Sequence, residues 1–211
     1  MSYPRPRPVS HEPNAHEPVV AGLLLAAGGG RRLGGRPKAL LTHRGRPLVE
    51  HAVRALREGG CGPVHVVLGA SADAVREEAD LTGCHVAENP AWASGMGSSL
   101  RVGLGSLPAE GVDAVLVLLV DQPGIGAPAV ARVRAAGRSR TALAAAAYGG
   151  RRGHPLVFGA DRWADIAASA AGDRGARAYV TAHEGELTLV ECGDVAQDYD
   201  IDTPGDLRHL E

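Results

Sequence analysis

Three consecutive glycines, Gly28, Gly29 and Gly30, are followed by Arg31, Arg32, Arg36 and Lys38, so four cations stand beside a stretch of backbone without side chains. Backbone N–H groups there can turn toward an anion free of Cβ interference, and with the nearby charge the loop can wrap a triphosphate. A plain glycine-rich surface turn is the alternative, and the four cations weigh against it. Two familiar phosphate loops are excluded. The dinucleotide fingerprint needs GxGxxG, but Leu33 stands where the third glycine belongs. The acid expected after the second strand is also missing, because that strand ends in Leu68-Gly69-Ala70-Ser71. A P-loop needs Lys followed by Ser or Thr, whereas Lys38 lies between Pro37 and Ala39.

Carboxylates form the second group. The apolar run over 114–120 ends in Asp121-Gln122-Pro123. A carboxylate leaving a central strand stands at the ligand-binding edge of an α/β sheet. One or two such groups, with phosphate oxygens and water, suffice for Mg²⁺. Capping of the next helix is the competing role for Asp121. Near the C-terminus, Asp200-Ile201-Asp202-Thr203-Pro204 alternates acid and apolar residues, which turns both carboxylates the same way in an extended segment. Thr203 or Asp202 could instead cap the final helix.

Two further stretches hold small and polar residues suited to ligands. Over 89–100 the sequence NPAWASGMGSSL opens a helix, where Gly95, Met96, Gly97, Ser98 and Ser99 leave N–H donors for a base edge, a ribose or a phosphate. Ser98 or Ser99 as a simple N-cap is the alternative. Over 149–156, GGRRGHPL brings Gly153, His154 and Pro155 after the fifth candidate strand. His154 there either meets a phosphorylated acceptor or holds a turn. His51, His65 and His85 lack metal-ligand spacing. Cys61, Cys84 and Cys192 form no CxxC pair and read as reduced thiols.

The elements that must position these groups follow from periodicity. Short apolar runs predict strands over 19–26, 64–69, 85–88, 114–120, 143–148 and 187–191. Helices are predicted over 47–58, 72–79, 98–107, 127–136, 161–170, 174–183 and 204–210, with Pro47, Pro128 and Pro204 at positions tolerated in a first turn. Strands alternating with helices imply a three-layer α/β/α fold around an open, mostly parallel sheet, with ligands at the carboxyl ends of the strands. The chain of 211 residues suits one domain over 19–211, preceded by a disordered, proline-rich tail over 1–18 that contains His11 and His16. That tail's Pro-Arg repeat could also bind a partner. A net charge of -2 argues against a nucleic-acid partner. No apolar run is long enough for a membrane span and no signal-peptide core is present, so a soluble, cytoplasmic protein is expected. Aromatics make up 3% of residues, so Ala, Val and Leu must build the core.

LAAGGGRRLG followed by PKALL resembles the signature of the MobA-like nucleotidyltransferase superfamily, and nearly the whole chain after the tail is similar to its molybdenum cofactor cytidylyltransferase-like branch. DQP, NPAWASGMGSSL, GHP, the stretch Asp173-Arg174-Gly175-Ala176-Arg177 and DIDTP carry the likeness onward. The resemblance implies a Rossmann-like nucleotidyltransferase fold of the nucleotide-diphospho-sugar transferase type. It implies a nucleotide site at Leu25, Ala26, Ala27, Gly28, Gly29, Gly30 and Lys38, with Gly95, Met96, Gly97, Ser98 and Ser99 facing the base. Catalytic roles fall on Lys38, Arg32 and Asp121, Mg²⁺ ligation on Asp121 and Asp202, and acceptor binding on Gly153, His154 and Pro155. The segment 173–177 becomes an acceptor-side cap. The implied reaction takes CTP as donor and molybdenum cofactor, a pterin, as acceptor, and implies contact with a molybdoenzyme that receives the product. An acceptor phosphate would attack the α-phosphorus in line, without a covalent intermediate or a general base, since a phosphate monoester is ionised near pH 7. Transfer of GMP or another nucleotide, NAD(P)H-dependent reduction of a quinone-like pigment such as nicotine blue, and non-catalytic cofactor delivery are the alternatives. The failed dinucleotide fingerprint weighs against the reductase.

Overall fold

The computed structural model describes residues 17–211, so the expected tail, with His11 and His16, lies outside the described residues apart from Glu17 and Pro18. Strand β1 (Val20–Ala26) leads through the glycine loop to a hairpin, β2 (Thr42–His43) and β3 (Arg46–Pro47), and then helix α1 (Leu48–Glu58). Next come β4 (Val64–Leu68), α2 (Ala72–Glu78), β5 (His85–Glu88), α3 (Met96–Ser106), β6 (Ala114–Leu119) and α4 (Ala127–Arg134). The chain continues with β7 (Leu143–Tyr148), β8 (Arg151–Gly159), α5 (Trp163–Ser169), α6 (Arg177–Ala182) and β9 (Thr188–Glu191), and closes in a 3-10 helix, Pro204–Leu210.

One seven-stranded sheet runs β5-β4-β1-β6-β8-β7-β9. β8 alone runs against its neighbours, and every other pairing is parallel. β1 is buried along its whole length because helices cover both faces. Its Leu24 and Ala26 pack with α1 and α4 in one core, while Leu23 and Leu25 pack with α3, α5 and α6 in the other. Each fully buried leucine contributes about 1.5–3 kcal/mol. With few aromatics, small residues bring helices close to the sheet: a Cβ on Gly103 of α3 would stand 2.7 Å from Leu23 Cδ1. The chain leaves β1 toward β4 and β5 on one side, then α3 carries it across to β6 on the other. That reversal of strand order opens a crevice at the carboxyl ends of β1 and β6. No helix among the described residues is long and apolar enough to cross a membrane.

The stretch over 149–156, expected as a loop, is instead a hairpin turn and most of an internal strand. Gly149 and Gly150 take left-handed φ values of 60° and 76°, which suit the tight turn between β7 and β8. Pro155 cannot donate to a ladder and argued against a strand at sequence level. The register explains its tolerance. Ala145 pairs with Leu156 and Ala147 with Arg152, so Gly153, His154 and Pro155 bulge opposite Ala146 alone. β6 pairs with β8 only from Leu156 onward, and the bulge carries His154 past the end of that pairing toward the crevice. Helix α3 also begins earlier than expected. Gly95, at φ +105°, is its N-cap, so neither Ser98 nor Ser99 fills that role. Helix α6 starts later, because Gly175 at φ +52° interrupts the chain before it.

Candidate active site

The glycine loop closes on itself. Leu33 N and Gly35 N both donate to Gly30 O, at 2.7 and 3.1 Å. Gly30 has φ +58°, and a Cβ there would fall 2.0 Å from Arg36 O, so only glycine fits. Gly28 faces open space, whereas Gly29 lies under the Trp92 ring, 3.0 Å from the place a Cβ would take. The Arg31 guanidinium lies over that same indole, 5.6 Å from its centroid. Together these residues wall a cleft of about 320 Å³ at the ends of β1 and β6.

Lys38 stands at the inner end. Its Nζ donates to Asp121 Oδ2 at 2.7 Å and to Asp202 Oδ1. Burial of the ammonium works to lower its pKa, but the two carboxylates, Asp121 foremost, outweigh it and hold the pKa above the ordinary lysine value. The carboxylate-bearing segments are also tied by backbone, Ile201 N donating to Asp121 O at 2.9 Å, with Ile201 fully buried. Asp202 is free to face Lys38 because Thr203 and Asp206 form the cap of the closing 3-10 helix: Thr203 N and Oγ1 donate to Asp206 Oδ2 at 2.7 and 2.8 Å. Asp200 points elsewhere and accepts from Gln122 Nε2 at 2.8 Å. Partial burial, with Asp121 and Asp202 nearby, raises its pKa against the pull of Gln122 and Lys38.

A second cavity of about 280 Å³ adjoins the cleft, sharing Met96, Leu119 and Asp173 with it. Arg152 from β8, with Arg174 and Arg177 from the segment before and into α6, lines it, and their guanidinium groups make no hydrogen bond or ion pair among the described residues. His154 sits between them. Although its ring keeps some accessible surface, burial pushes its pKa down to about 4, with Arg152 and Arg177 adding to that against the pull of Asp121. Tyr148 OH holds the bulge by donating to His154 O at 2.7 Å. Three cations and a neutral imidazole beside Leu156 and Val180 make a pocket for an anionic molecule with an apolar body.

A self-closing glycine loop, a lysine joined to two acids and an adjoining cationic pocket lie together at one edge of this mostly parallel sheet. The description "MobA-like NTP transferase domain" matches residues 22–187. The chain belongs to this family. Nicotine blue oxidoreductase of Paenarthrobacter nicotinovorans is 42% identical over 92% of this chain and 97% of its own length. Molybdenum cofactor guanylyltransferase of Cereibacter sphaeroides is 37% identical over 64% of this chain and 65% of its own. The crystal structure of Rv0371C in complex with manganese, from Mycobacterium tuberculosis H37Rv, superposes with TM-score 0.70 at 27% identity, covering 91% of this chain and 97% of that one. The sheet and its layers are those of a Rossmann-like nucleotidyltransferase.

In this MobA-like domain most of the residues singled out from sequence meet in one place. Leu25, Ala27, Gly28, Gly29, Gly30, Lys38, Gly95, Met96, Ser99 and Asp121 all line the cleft. Three others stand behind it. Ala26 is buried in β1. Gly97 packs against the 170–171 backbone, where a Cβ would come within 2.7 Å of Ala171 N. Ser98 braces the loop, its Oγ donating to Gly95 O and accepting from Asn89 Nδ2, both at 2.8 Å. Arg32 is exposed and shares a shallow recess with Lys38 and Asp202, while its neighbour Arg31 enters the cleft. Gly153 and His154 line the second cavity; Pro155 is buried beneath it. Sequence reasoning missed the bracing role of Asn89, the link from Gln122 to Asp200, and Arg152. All three lay inside stretches singled out above, but no local spacing betrays the contacts they make.

Asp121 and Asp202 converge on one cation, the Lys38 ammonium, from separate segments. That donor set fits Mg²⁺ or Mn²⁺, which accept one or two carboxylates and draw their remaining ligands from phosphate and water. No cluster of three or more His, Cys, Asp or Glu able to hold a metal occurs among the described residues, so a divalent ion here would depend on the nucleotide for the rest of its shell. The three cysteines are free thiols, and burial raises Cys61 to about 12, far from a reactive thiolate.

Proposed function

We propose that this domain transfers a nucleoside monophosphate, with CTP as the preferred donor, to the phosphate of an acceptor, molybdenum cofactor, releasing pyrophosphate. The observation that carries this reading is the Lys38 ammonium bonded to both Asp121 and Asp202 beside a glycine-walled cleft. Asp121 and Asp202 would hold Mg²⁺, which, when bound, neutralises phosphate charge. The chain's own groups do the rest. N–H groups of the glycine loop orient the triphosphate, and Lys38, with Arg31 or Arg32 at the rim, offsets negative charge as pyrophosphate departs. Arg152, Arg174 and Arg177 hold the acceptor in the adjoining cavity, so that its ionised phosphate reaches the α-phosphorus without a general base. His154, kept neutral, contributes a hydrogen bond rather than a charge. Membership of an NTP transferase family and the likeness to a molybdenum cofactor guanylyltransferase support this reading. The likeness to a manganese-bound structure supports a divalent ion.

A second reading, reduction of a pigment such as nicotine blue with NAD(P)H, is favoured by the 42% identity to an oxidoreductase of that name over nearly the whole chain. Against it stand the missing GxGxxG and the absence of an acid where β4 ends. The two separate in one experiment. Pyrophosphate release is measured with molybdenum cofactor, Mg²⁺ and each of CTP, GTP, ATP and UTP, and NADH and NADPH oxidation is followed in parallel with quinone-like acceptors. Release with CTP and a cytosine dinucleotide product is expected. Hydride transfer without any release from folded protein would replace the transferase reading.

A further inference from the structure

Behind the residue 120–123 segment, on the side away from the cleft, a cavity of about 430 Å³ opens between α1, the β2–β3 hairpin and the start of α4. Arg44, Arg46 and Arg54 line it, together with the rings of His43 and His51 and a single acid, Glu58. Arg54 takes that acid for itself at 2.7 Å. The side chains of Arg44 and Arg46 are left without an ion pair or hydrogen bond among the described residues. On a chain of net charge -2 this is a local surplus of positive charge, not the average surface.

The cavity is built rather than accidental in two respects. Both histidines are fixed to backbone: His43 Nδ1 meets Leu210 O at 3.1 Å, and His51 Nε2 meets His43 O at 2.5 Å. Each ring therefore donates one N–H and keeps its second nitrogen uncommitted. Arg44 also holds a left-handed φ of 49° in a two-residue turn with Gly45, a conformation that arginine seldom adopts and asparagine tolerates. At the far wall α4 begins at Gly126, whose lack of a side chain leaves the Ala127 N–H uncapped, the next residue, Pro128, having no N–H.

We infer that this cavity is a further anion site, distinct from the cleft and from the cavity lined by Arg152, Arg174 and Arg177, that takes a small phosphorylated molecule. Paired guanidinium groups match phosphate oxygens in geometry and charge, and the volume suits a ligand from pyrophosphate up to a sugar phosphate. Its walls touch both halves of the catalytic arrangement. The hairpin follows directly on the 3-10 turn Lys38–Leu40 and is anchored by Leu48 N donating to Leu41 O at 2.8 Å. Gln122, which also lines the cavity, is the neighbour of Asp121 and donates to Asp200, and its Oε1 is buried without a partner. The rear cavity thus adjoins the segments that carry Lys38 and Asp121. Anion binding itself does not depend on the transferase reading.

The test is a calorimetric titration without divalent metal, using inorganic phosphate, pyrophosphate and ribose 5-phosphate as probes. Wild type, Lys38→Ala and the double variant Arg44→Asn/Arg46→Gln are compared, with thermal melting to check folding. Asparagine suits the left-handed backbone at 44, so the double variant keeps the hairpin. Pyrophosphate should fill a class of site on the wild type that the double variant weakens at least tenfold and that Lys38→Ala leaves intact. The probe with the highest affinity for the class weakened in the double variant identifies the ligand's size. Binding of every probe unchanged in the double variant would overturn the proposal, as would no binding of any probe to Lys38→Ala.

Discussion

The two halves of the candidate site are built by different means. On the nucleotide side, β1 and β6 are parallel neighbours, and each empties directly into its working residues, the glycine loop and Asp121. On the proposed acceptor side, the cations come from two segments, Arg152 from β8 and Arg174 with Arg177 from the approach to α6, and His154 reaches the cavity only because a bulge in the antiparallel strand β8 displaces it. The first half is written in contiguous residues, and its geometry follows from the strand ends. The second exists only once β8 has inserted between β6 and β7 and α6 has packed. On the proposed reading, a change of acceptor would call for new side chains on β8 and residues 172–177, leaving the parallel half as it stands.

Four measurements break or sharpen this contrast. The largest effect is expected for Asp121→Asn, which should lower kcat for pyrophosphate release by about 10²–10³-fold with little change in thermal stability. An unchanged kcat would remove Asp121 from the chemistry. Gly30→Ala comes next. The left-handed backbone and the collision with Arg36 O should lower stability by roughly 2 kcal/mol or more in urea unfolding, and weaken nucleotide binding with it. Full retention of both would show that the loop adapts.

Arg177→Ala should raise KM for the acceptor by about 10–100-fold, the size of a lost charged hydrogen bond, with KM for the nucleotide unchanged. Equal changes in both constants would mean that the halves are not separable. The smallest effect concerns pH. His154 is held neutral in the fold, with a pKa near 4, below its ordinary value. Its contribution to stability is complete above about pH 6.5 and is lost as pH falls toward 4. Water reaching the ring trims the full shift, so a loss of about 1–2 kcal/mol is expected over that window. Comparing urea midpoints from pH 7 to 4 for wild type and His154→Gln checks it, since the variant should lack this component.

Much of the fold was legible because its inner strands are buried on both faces and stand out as short apolar runs, while the edge strands β5 and β9 are mostly exposed. The strands over 85–88 and 143–148 coincide with their predicted limits, and those over 64–69 and 114–120 end one residue sooner than predicted. β8 was hidden because Arg151, Arg152, Gly153 and Pro155 all speak against a central strand, and only the register with β7 shows how one accommodates them. The helix start at Gly95 was hidden for a related reason. Ser98 and Ser99 have the chemistry of caps, but Asn89 claims both hydroxyls from a turn that local sequence does not place. Alternation predicts that Asp200 and Asp202 turn the same way, whereas Gln122 draws Asp200 off and only Asp202 meets Lys38.

By itself, the sequence determined the parallel half: a strand's end, a glycine loop and a following acid are local facts, and the polarity of an α/β sheet sends them to one edge. Only the tertiary structure decided that Asp202 and Asp121 share Lys38, that Arg31 rather than Arg32 enters the cleft, and that Arg174 and Arg177 join Arg152 around His154. Side-chain direction after a turn, and the convergence of charges from segments far apart in the chain, depend on packing across the whole sheet, and no local spacing encodes them.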